Sequence, residues 1–308
     1  MSPHAVMIDR LLKLAPNEGY TLSRLDGVKF MRANRYMPRM PVLYEPCIVV
    51  VLQGKKLGYL GDQVFHYDPQ QFLVLSLPLP FESETIGSVE EPMLAVAMRI
   101  DLAVIAELVL SLETQVPLPA LPQLGMVSTA MDEKLSDAVM RLIAVLGSPL
   151  ESTVIGPAIL REIYFRVLTG TQGAVIRAAL LQQSQFSKIG KALKLIHSDF
   201  SDELNIRALA TEAGMSVAAF HANFKALTAT SPMQYLKTTR LHKARLHMLQ
   251  DGMTATTAAT QVGYESVSQF SREFKRFFGR TPIQEVAAMR QSLITMPAEN
   301  TAHYVTVH

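Results

Sequence analysis

The sequence predicts a two-domain α+β protein, an antiparallel β domain with associated helices followed by an all-helical domain. Three observations lead there. Residues 20–100 hold short runs of branched and aromatic residues, parted by Gly, Pro and Asp about every eight to twelve positions. After residue 186 the apolar spacing is helical throughout. A glycine-to-proline pattern over Gly214–Pro232 also returns over Gly263–Pro282. The length of 308 residues fits two domains, and a chain that is 49% apolar and 18% charged is a packed globular one.

Taken in order, "MSPHAVMIDRLLKL" lacks the basic start and long apolar core of a secretory signal. The runs "CIVVVLQG", "KLGYLG", "QVFHYD", "QFLVLSLPLP" and "MLAVAMRI" read as strands of a sandwich or barrel. The most apolar stretch, residues 93–112, is interrupted by Arg99, Asp101 and Glu107, so it reads as a buried strand entering a helix rather than a membrane span. From 101 to 170 the period is helical, with "PLPALP" at 117–122 as a loop. The expected division is a first domain over 1–175, a linker or connecting helix over 176–185, a helical domain over 186–290, and an aperiodic, mobile tail over 291–308.

Charge separates the two halves. Residues 186–290 hold fourteen Lys and Arg against eight Asp and Glu, a net +6, which leaves fifteen against nineteen, a net −4, elsewhere. A basic domain joined to an acidic one points to a polyanionic partner for the basic part.

The repeated pattern has a local explanation. In the second copy Thr254 caps "ATTAATQV", Gly263 makes the turn, and Ser266 with Gln269 has capping-box spacing. Phe270, Phe274, Phe277 and Phe278 then form one apolar stripe, and Gly279 and Pro282 end the helix. In the first copy Asn205 caps, Gly214 turns, Ser216 caps, and Phe220, Phe224 and Leu227 make the stripe. The glycine-to-phenylalanine spacing is six in one and seven in the other, and from there the offset is fifty. Each copy is a helix-turn-helix, and the stretch between them reads as one helix of about 28 Å. That length suits two recognition helices about one DNA turn, ~34 Å, apart.

The residues "LATEAGMS", "NFK", "TSP" and "RLHKAR", then "AATQVGYES", "SQFSREFKR" and "FGRTP", resemble the AraC/XylS family of bacterial transcription regulators. Residues 50–76 and "EEPMLAVAMRIDL" (90–102) resemble the N-terminal domain of one AraC subgroup. The resemblance covers most of the chain. It implies a cupin-like regulatory or dimerisation domain, then a DNA-binding domain with two helix-turn-helix units joined by a long helix. Motif alignment puts base-reading positions on Ala218, His221 and Ala222 in the first recognition helix and on Ser268, Gln269 and Arg272 in the second. Ser216, Lys225, Lys237, Ser266, Lys275 and Arg276 suit phosphate contacts. Family members often carry Arg where Ala222 stands, so direct reading by the first helix is expected to be thin. Asn223 neighbours Phe224 and reads as inward-facing.

The sequence lacks GxxxxGK[ST], GxGxxG, HExxH and GxSxG, which argues against the common nucleotide, zinc-protease and serine-hydrolase chemistries. Cys47, the one cysteine, lies in an apolar run, fitting a buried structural thiol and a reducing cytoplasm. His66 is the one histidine between 5 and 196, so no histidine metal site and no cofactor are expected. His242 and His247 read as surface or phosphate-side residues. Arg39, Tyr44, Gln53, His66 and Tyr67 are polar candidates for an effector pocket in a β domain that either senses a small molecule or dimerises. The expected protein is a cytoplasmic, non-enzymatic transcription regulator. Its expected partners are double-stranded DNA, a small-molecule effector, a second copy of itself and RNA polymerase. The alternatives are a cupin-type enzyme with a nucleic-acid tether and an architectural DNA binder without effector.

Overall fold

A computed structural model describes residues 3–69, 71–112, 125–181 and 186–294. Helix α1 (Pro3–Leu14) precedes nine strands: β1 (Gly19–Leu22), β2 (Val28–Ala33), β3 (Met37–Tyr44), β4 (Cys47–Gln53), β5 (Lys55–Leu60), β6 (Gln63–Tyr67), β7 (Gln71–Leu75), β8 (Leu79–Ile86) and β9 (Met93–Arg99). Helix α2 (Leu102–Leu112) and strand β10 (Met126–Ala130) follow, then α3 (Glu133–Val145), α4 (Pro149–Val154), α5 (Gly156–Thr169) and α6 (Gly173–Leu181). The remaining elements are α7 (Phe186–Ser198), α8 (Ile206–Glu212), α9 (Val217–Thr228), α10 (Pro232–Gln250), α11 (Ala255–Gln261), α12 (Val267–Phe278) and α13 (Pro282–Ile294).

The chain forms two compact units that divide near residue 183, with Met40–Tyr44 and Pro78–Glu82 counted in the second. The strands make a six-stranded sheet of order β1-β2-β9-β4-β7-β10 and a four-stranded sheet of order β3-β8-β5-β6. Every neighbouring pair of the first sheet is antiparallel.

The run "CIVVVLQ" has no polar alternation because β4 lies mid-sheet and is buried on both faces. Ile48, Val50 and Leu52 join the core that the helices build with Leu11 of α1, Ile105 of α2, Leu142 of α3 and Ile163 of α5. Val49 and Val51 face the other way and are just as deeply buried. Gly54 follows at φ +74, where a Cβ would stand 2.8 Å from the Ile86 carbonyl oxygen, so the turn into β5 requires glycine.

Strand β10 is an addition to the reading of 101–170, where the period predicts helices and a loop but no strand. "MVSTA" is only five residues long and carries little local signal. It is a strand because it pairs antiparallel with β7, Met126 opposite Leu75 through Ala130 opposite Gln71. Helix α6 covers most of the stretch assigned to linker or connecting helix, with Ile176 and Arg177 buried. Helix α13 runs through Ile294, into the stretch expected as tail from 291, and residues 295–308 and the 117–122 loop lie outside the described residues.

Cys47 is buried at the start of β4, and burial pushes its thiol up to about 12. The thiol is therefore protonated and shielded at neutral and mildly alkaline pH. Iodoacetamide is expected to leave it unlabelled in the native protein and to label it fully in denaturant; fast native labelling would contradict this packing.

Candidate nucleic-acid interface

The two helix-turn-helix units are built by the same hydrogen bonds. Asn205 caps α8 by accepting from the Arg207 and Ala208 amides, both at 3.0 Å. The helix ends where Gly214 at φ +57 donates to the Thr211 carbonyl and Met215 donates to that of Ala210, each at 2.9 Å. Helix α11 is capped by Thr254, which accepts from the Thr257 amide at 3.1 Å. It ends with Gly263 at φ +82 donating to Thr260 and Tyr264 donating to Ala259. Both ends are Schellman turns, forty-nine residues apart at every position.

The next caps are Ser216, accepting from Ala219 at 3.3 Å, and Ser266, accepting from Gln269 at 3.2 Å. These stand fifty apart. The unequal glycine-to-phenylalanine spacing is thus one extra residue between turn and cap, at Glu265 in the second copy. The fifty-residue offset then extends into the helices that follow. Ser231 caps α10 by accepting from Gln234, and Thr281 accepts from Gln284 at the start of α13, both at 3.4 Å. The capping box expected at Ser266 and Gln269 is only half formed, because the Gln269 amide turns to Glu273 at 3.3 Å.

The apolar stripes do what their period predicts. Phe220, Phe224, Phe270 and Phe274 are fully enclosed, while Phe277 and Phe278 are half-buried. The outward faces carry the proposed base-reading residues. Ala218, His221 and Ala222 are exposed on α9, and Ser268, Gln269 and Arg272 are exposed on α12. Lys225, Lys275 and Arg276 are exposed, as are the capping serines Ser216 and Ser266. Asn223 is half-buried and donates to the Ala219 carbonyl at 2.9 Å.

Two of these residues are engaged within the fold. Glu273 accepts from Lys237 of α10 at 2.9 Å, from Tyr264 at 2.8 Å and from Gln269. Burial works to raise the Glu273 carboxyl, but these hydrogen bonds outweigh it and hold the group below the usual carboxylate range. Arg240 is a residue that sequence reasoning passed over. Its guanidinium donates to the carbonyls of Phe200 at 2.7 Å, Gly263 at 3.1 Å and Asp202 at 2.8 Å. It fastens α10 to the second turn.

His242 corrects the surface reading. It is 1% exposed, its ring edge-on to Phe277 and Phe278 at 5.4 Å each. Arg245 donates to its Nδ1 at 3.2 Å, which leaves Nε2 to carry the proton without a partner among the described residues. Burial, then the Arg245 charge, lowers its pKa well below the ordinary value. Its chain neighbour Arg245 is itself buried, paired with Glu285 at 3.3 Å and stacked on Phe278 at 4.4 Å. His247 is half-buried and bonds Asp251 at 2.8 Å. His197 bonds Tyr235 at 2.8 Å, and burial with the nearby Lys243 lowers it to about 4.

The candidate effector residues do not share one face. Arg39 is exposed and stacks on Tyr59 at 4.2 Å, and Tyr44 is buried edge-on to Phe81. Gln53 donates to the Pro92 carbonyl at 2.9 Å. His66 is exposed, whereas its neighbour Tyr67 is fully buried on the other side of β6. Among the described residues no group of His, Cys, Asp and Glu could hold a metal ion, and no helix is long and apolar enough to cross a membrane.

Two family models match the chain. The model of the AraC-type transcriptional regulator N-terminus covers residues 24–175, and that of a helix-turn-helix domain covers residues 209–287. The chain is similar to the HTH-type transcriptional activator RhaS of Escherichia coli O1:K1 / APEC, 28% identical over 147 residues, 47% of this chain and 51% of that protein. RhaS of Escherichia coli O139:H28 (strain E24377A / ETEC) is 30% identical over 125 residues, 40% of this chain and 44% of that protein. The chain spans about half the length of the curated relatives it matches. Among solved structures it is similar to a single-substitution variant of apo ToxT from Vibrio cholerae strain SCE256, with TM-score 0.58 and 13% identity over 84% of this chain and 96% of that one. Wild-type ToxT of the same strain with a bound unsaturated fatty acid gives TM-score 0.57 and 12% identity over 88% and 96%. That likeness is one of fold.

The two glycine turns are unequal in surroundings. A Cβ at Gly214 meets nothing within 4 Å, whereas one at Gly263 would stand 2.2 Å from the Ser201 carbonyl oxygen. Gly214→Ala is expected to cost about 1–2 kcal/mol from the left-handed conformation alone, and Gly263→Ala distinctly more. Ala229 ends α9 at φ 58, fifty residues before Gly279 at φ 77, so Ala229→Gly should stabilise by roughly 0.5–1 kcal/mol. Denaturant melts of the three variants check the order. His197 and His242 are held neutral, with folded values below the unfolded ~6.5. Their contribution is complete above that pH and is lost as pH falls toward about 4, where His197 itself protonates in the fold. Thermal melts should fall from neutral pH to pH 5, and His197→Gln should flatten the decline.

Proposed function

The chain belongs to the AraC family of transcription regulators, and we propose that it is a sequence-specific DNA-binding regulator whose first unit binds a small-molecule effector, dimerises, or both. One observation carries this reading: two helix-turn-helix units share the same pattern of caps and glycine turns and turn their second helices outward. Buried phenylalanines anchor those helices, and exposed side chains lie opposite. A duplicated core alone needs no such outward face.

The two helices carry unequal chemistry. On α9, Ala218 and Ala222 offer only apolar contact, such as with a thymine methyl, and His221 can donate or accept. On α12, Arg272 is exposed and has no hydrogen-bond or ion-pair partner among the described residues, so its fork is available for a guanine edge. Gln269 reads bases only by leaving Glu273, and Ser268 completes the face. Ser216, Lys225, Ser266, Lys275 and Arg276 suit phosphates, and Lys237 joins them only by leaving Glu273. Helix α10, about 28 Å long, fits two recognition helices spaced near one DNA turn. The bound fatty acid of ToxT favours an effector role for the shared fold. A homodimer, contact with RNA polymerase and a cytoplasmic location complete the proposal, and no enzymatic chemistry is assigned.

The test is selection of bound sites from random DNA by the full chain, followed by variants on the selected site. Arg272→Ala should cost about 1–3 kcal/mol and relax preference at one base pair. Lys275→Ala should weaken all sequences evenly and reduce the salt slope by about 1. Unchanged affinity and base preference in Arg272→Ala would remove that residue from the reading role.

A further inference from the structure

The first unit buries a cation that none of the described residues neutralises. On β9 Leu94, Val96 and Met98 pack against the helices, so Ala95 and Ala97, equally buried, face the other way with Val49 and Val51 of β4. That face is apolar and short-chained. The four-stranded sheet presents polar side chains inward instead: Lys56, Tyr67, Ser83 and Thr85, none more than 5% exposed. Lys56 and Tyr67 are register partners on β5 and β6, hence on one face. Tyr67 lies near enough to Tyr20 and Cys47 of the other sheet to interact electrostatically, so the polar and apolar faces meet across the interior.

Lys56 donates to Thr85 Oγ1 at 2.8 Å, which accounts for one of its three N–H groups. Tyr67 and Ser83 hydroxyls pair at 3.3 Å. Burial alone lowers the Lys56 amine, to about 8, and no acidic group among the described residues acts to raise it. The second buried lysine, Lys29, is different, because the Glu45 carboxylate acts on it favourably. An ammonium without a counter-charge is costly to enclose, and a ligand that supplies the charge removes the cost. One uncompensated positive charge matches one negative charge, and the hydroxyls around it can donate to two oxygens.

We propose that Lys56 anchors a monocarboxylate effector inside the first unit, with Thr85, Ser83 and Tyr67 around the carboxylate and the ligand's apolar body against Val49, Val51, Ala95 and Ala97. This rests on the reading of the first unit as an effector domain and adds to it the class of ligand and the residue that selects it.

The full chain is titrated with benzoate, 4-phenylbutyrate and decanoate, each beside its neutral alcohol, and followed by calorimetry and thermal melting. At least one carboxylate is expected to bind and stabilise, its alcohol far less. Lys56→Met should weaken that carboxylate roughly tenfold to a hundredfold while melting no lower than the unliganded parent. Should Lys56→Met not fold, Thr85→Val keeps the charge and is expected to weaken binding about threefold to tenfold. Equal binding of acid and alcohol, undiminished binding to Lys56→Met (or to Thr85→Val in its place), or no binding by any carboxylate overturns the assignment. The regulator reading is judged separately, by DNA binding of the same preparations and its sensitivity to Arg272→Ala.

Discussion

The geometry of the DNA-binding unit depends on one guanidinium. Arg240 projects from α10 and holds the carbonyls of Phe200, Asp202 and Gly263 at once. The planar fork fixes direction as well as distance, which a lysine at that position would not. The turn of the second helix-turn-helix is thereby fixed to the joining helix, with no room for a side chain at Gly263. Glu273 adds a second clamp from α12 to the same helix through Lys237 and ties in Tyr264. The first helix-turn-helix meets α10 through an aromatic contact instead, Phe224 against Tyr235 at 5.4 Å. Helix α12 is thus tied to α10 by directional polar bonds, and α9 by ring packing.

What is local was legible in the sequence. The caps at Asn205, Ser216, Thr254 and Ser266 need only a hydroxyl or amide next to a periodic run, and all four form as read. The phenylalanine spacing marked the buried stripes, and the alternation of turn residues marked the strands before residue 100. Distant pairing was not legible. Strand β10 exists because β7 is beside it. His242 sits in a helix whose sequence looks polar on all sides, and only the packing of Phe277 and Phe278 makes it a core residue. Lys56 in "GKKLG" reads as an ordinary hairpin charge. Its inward direction follows from register with Tyr67, which no short-range pattern contains. His66 beside Tyr67 shows that polarity alone does not choose a face.

The copies also differ in detail on their outward faces and at their helix ends. The position that is Arg272 in one is Ala222 in the other, and the left-handed cap that is Gly279 in one is Ala229 in the other. The second copy thus combines the richer outward chemistry with the less strained helix end.

The extra residue at Glu265 has a practical meaning for anyone rebuilding this protein. It falls between turn and cap, so the two copies are out of step at their glycines and in step from Ser216 and Ser266 onward. A graft cut at the glycines would shift the incoming helix by one residue, about 100° around its axis, and present phenylalanines where solvent belongs. Segments cut at the capping serine and ending at the proline, 216–232 and 266–282, are equal in length and carry their own start signal, stripe and stop signal. They are the natural interchangeable cassettes of this chain, and a protein carrying two copies of the arginine-bearing one is the simplest symmetric reader that could be assembled from it.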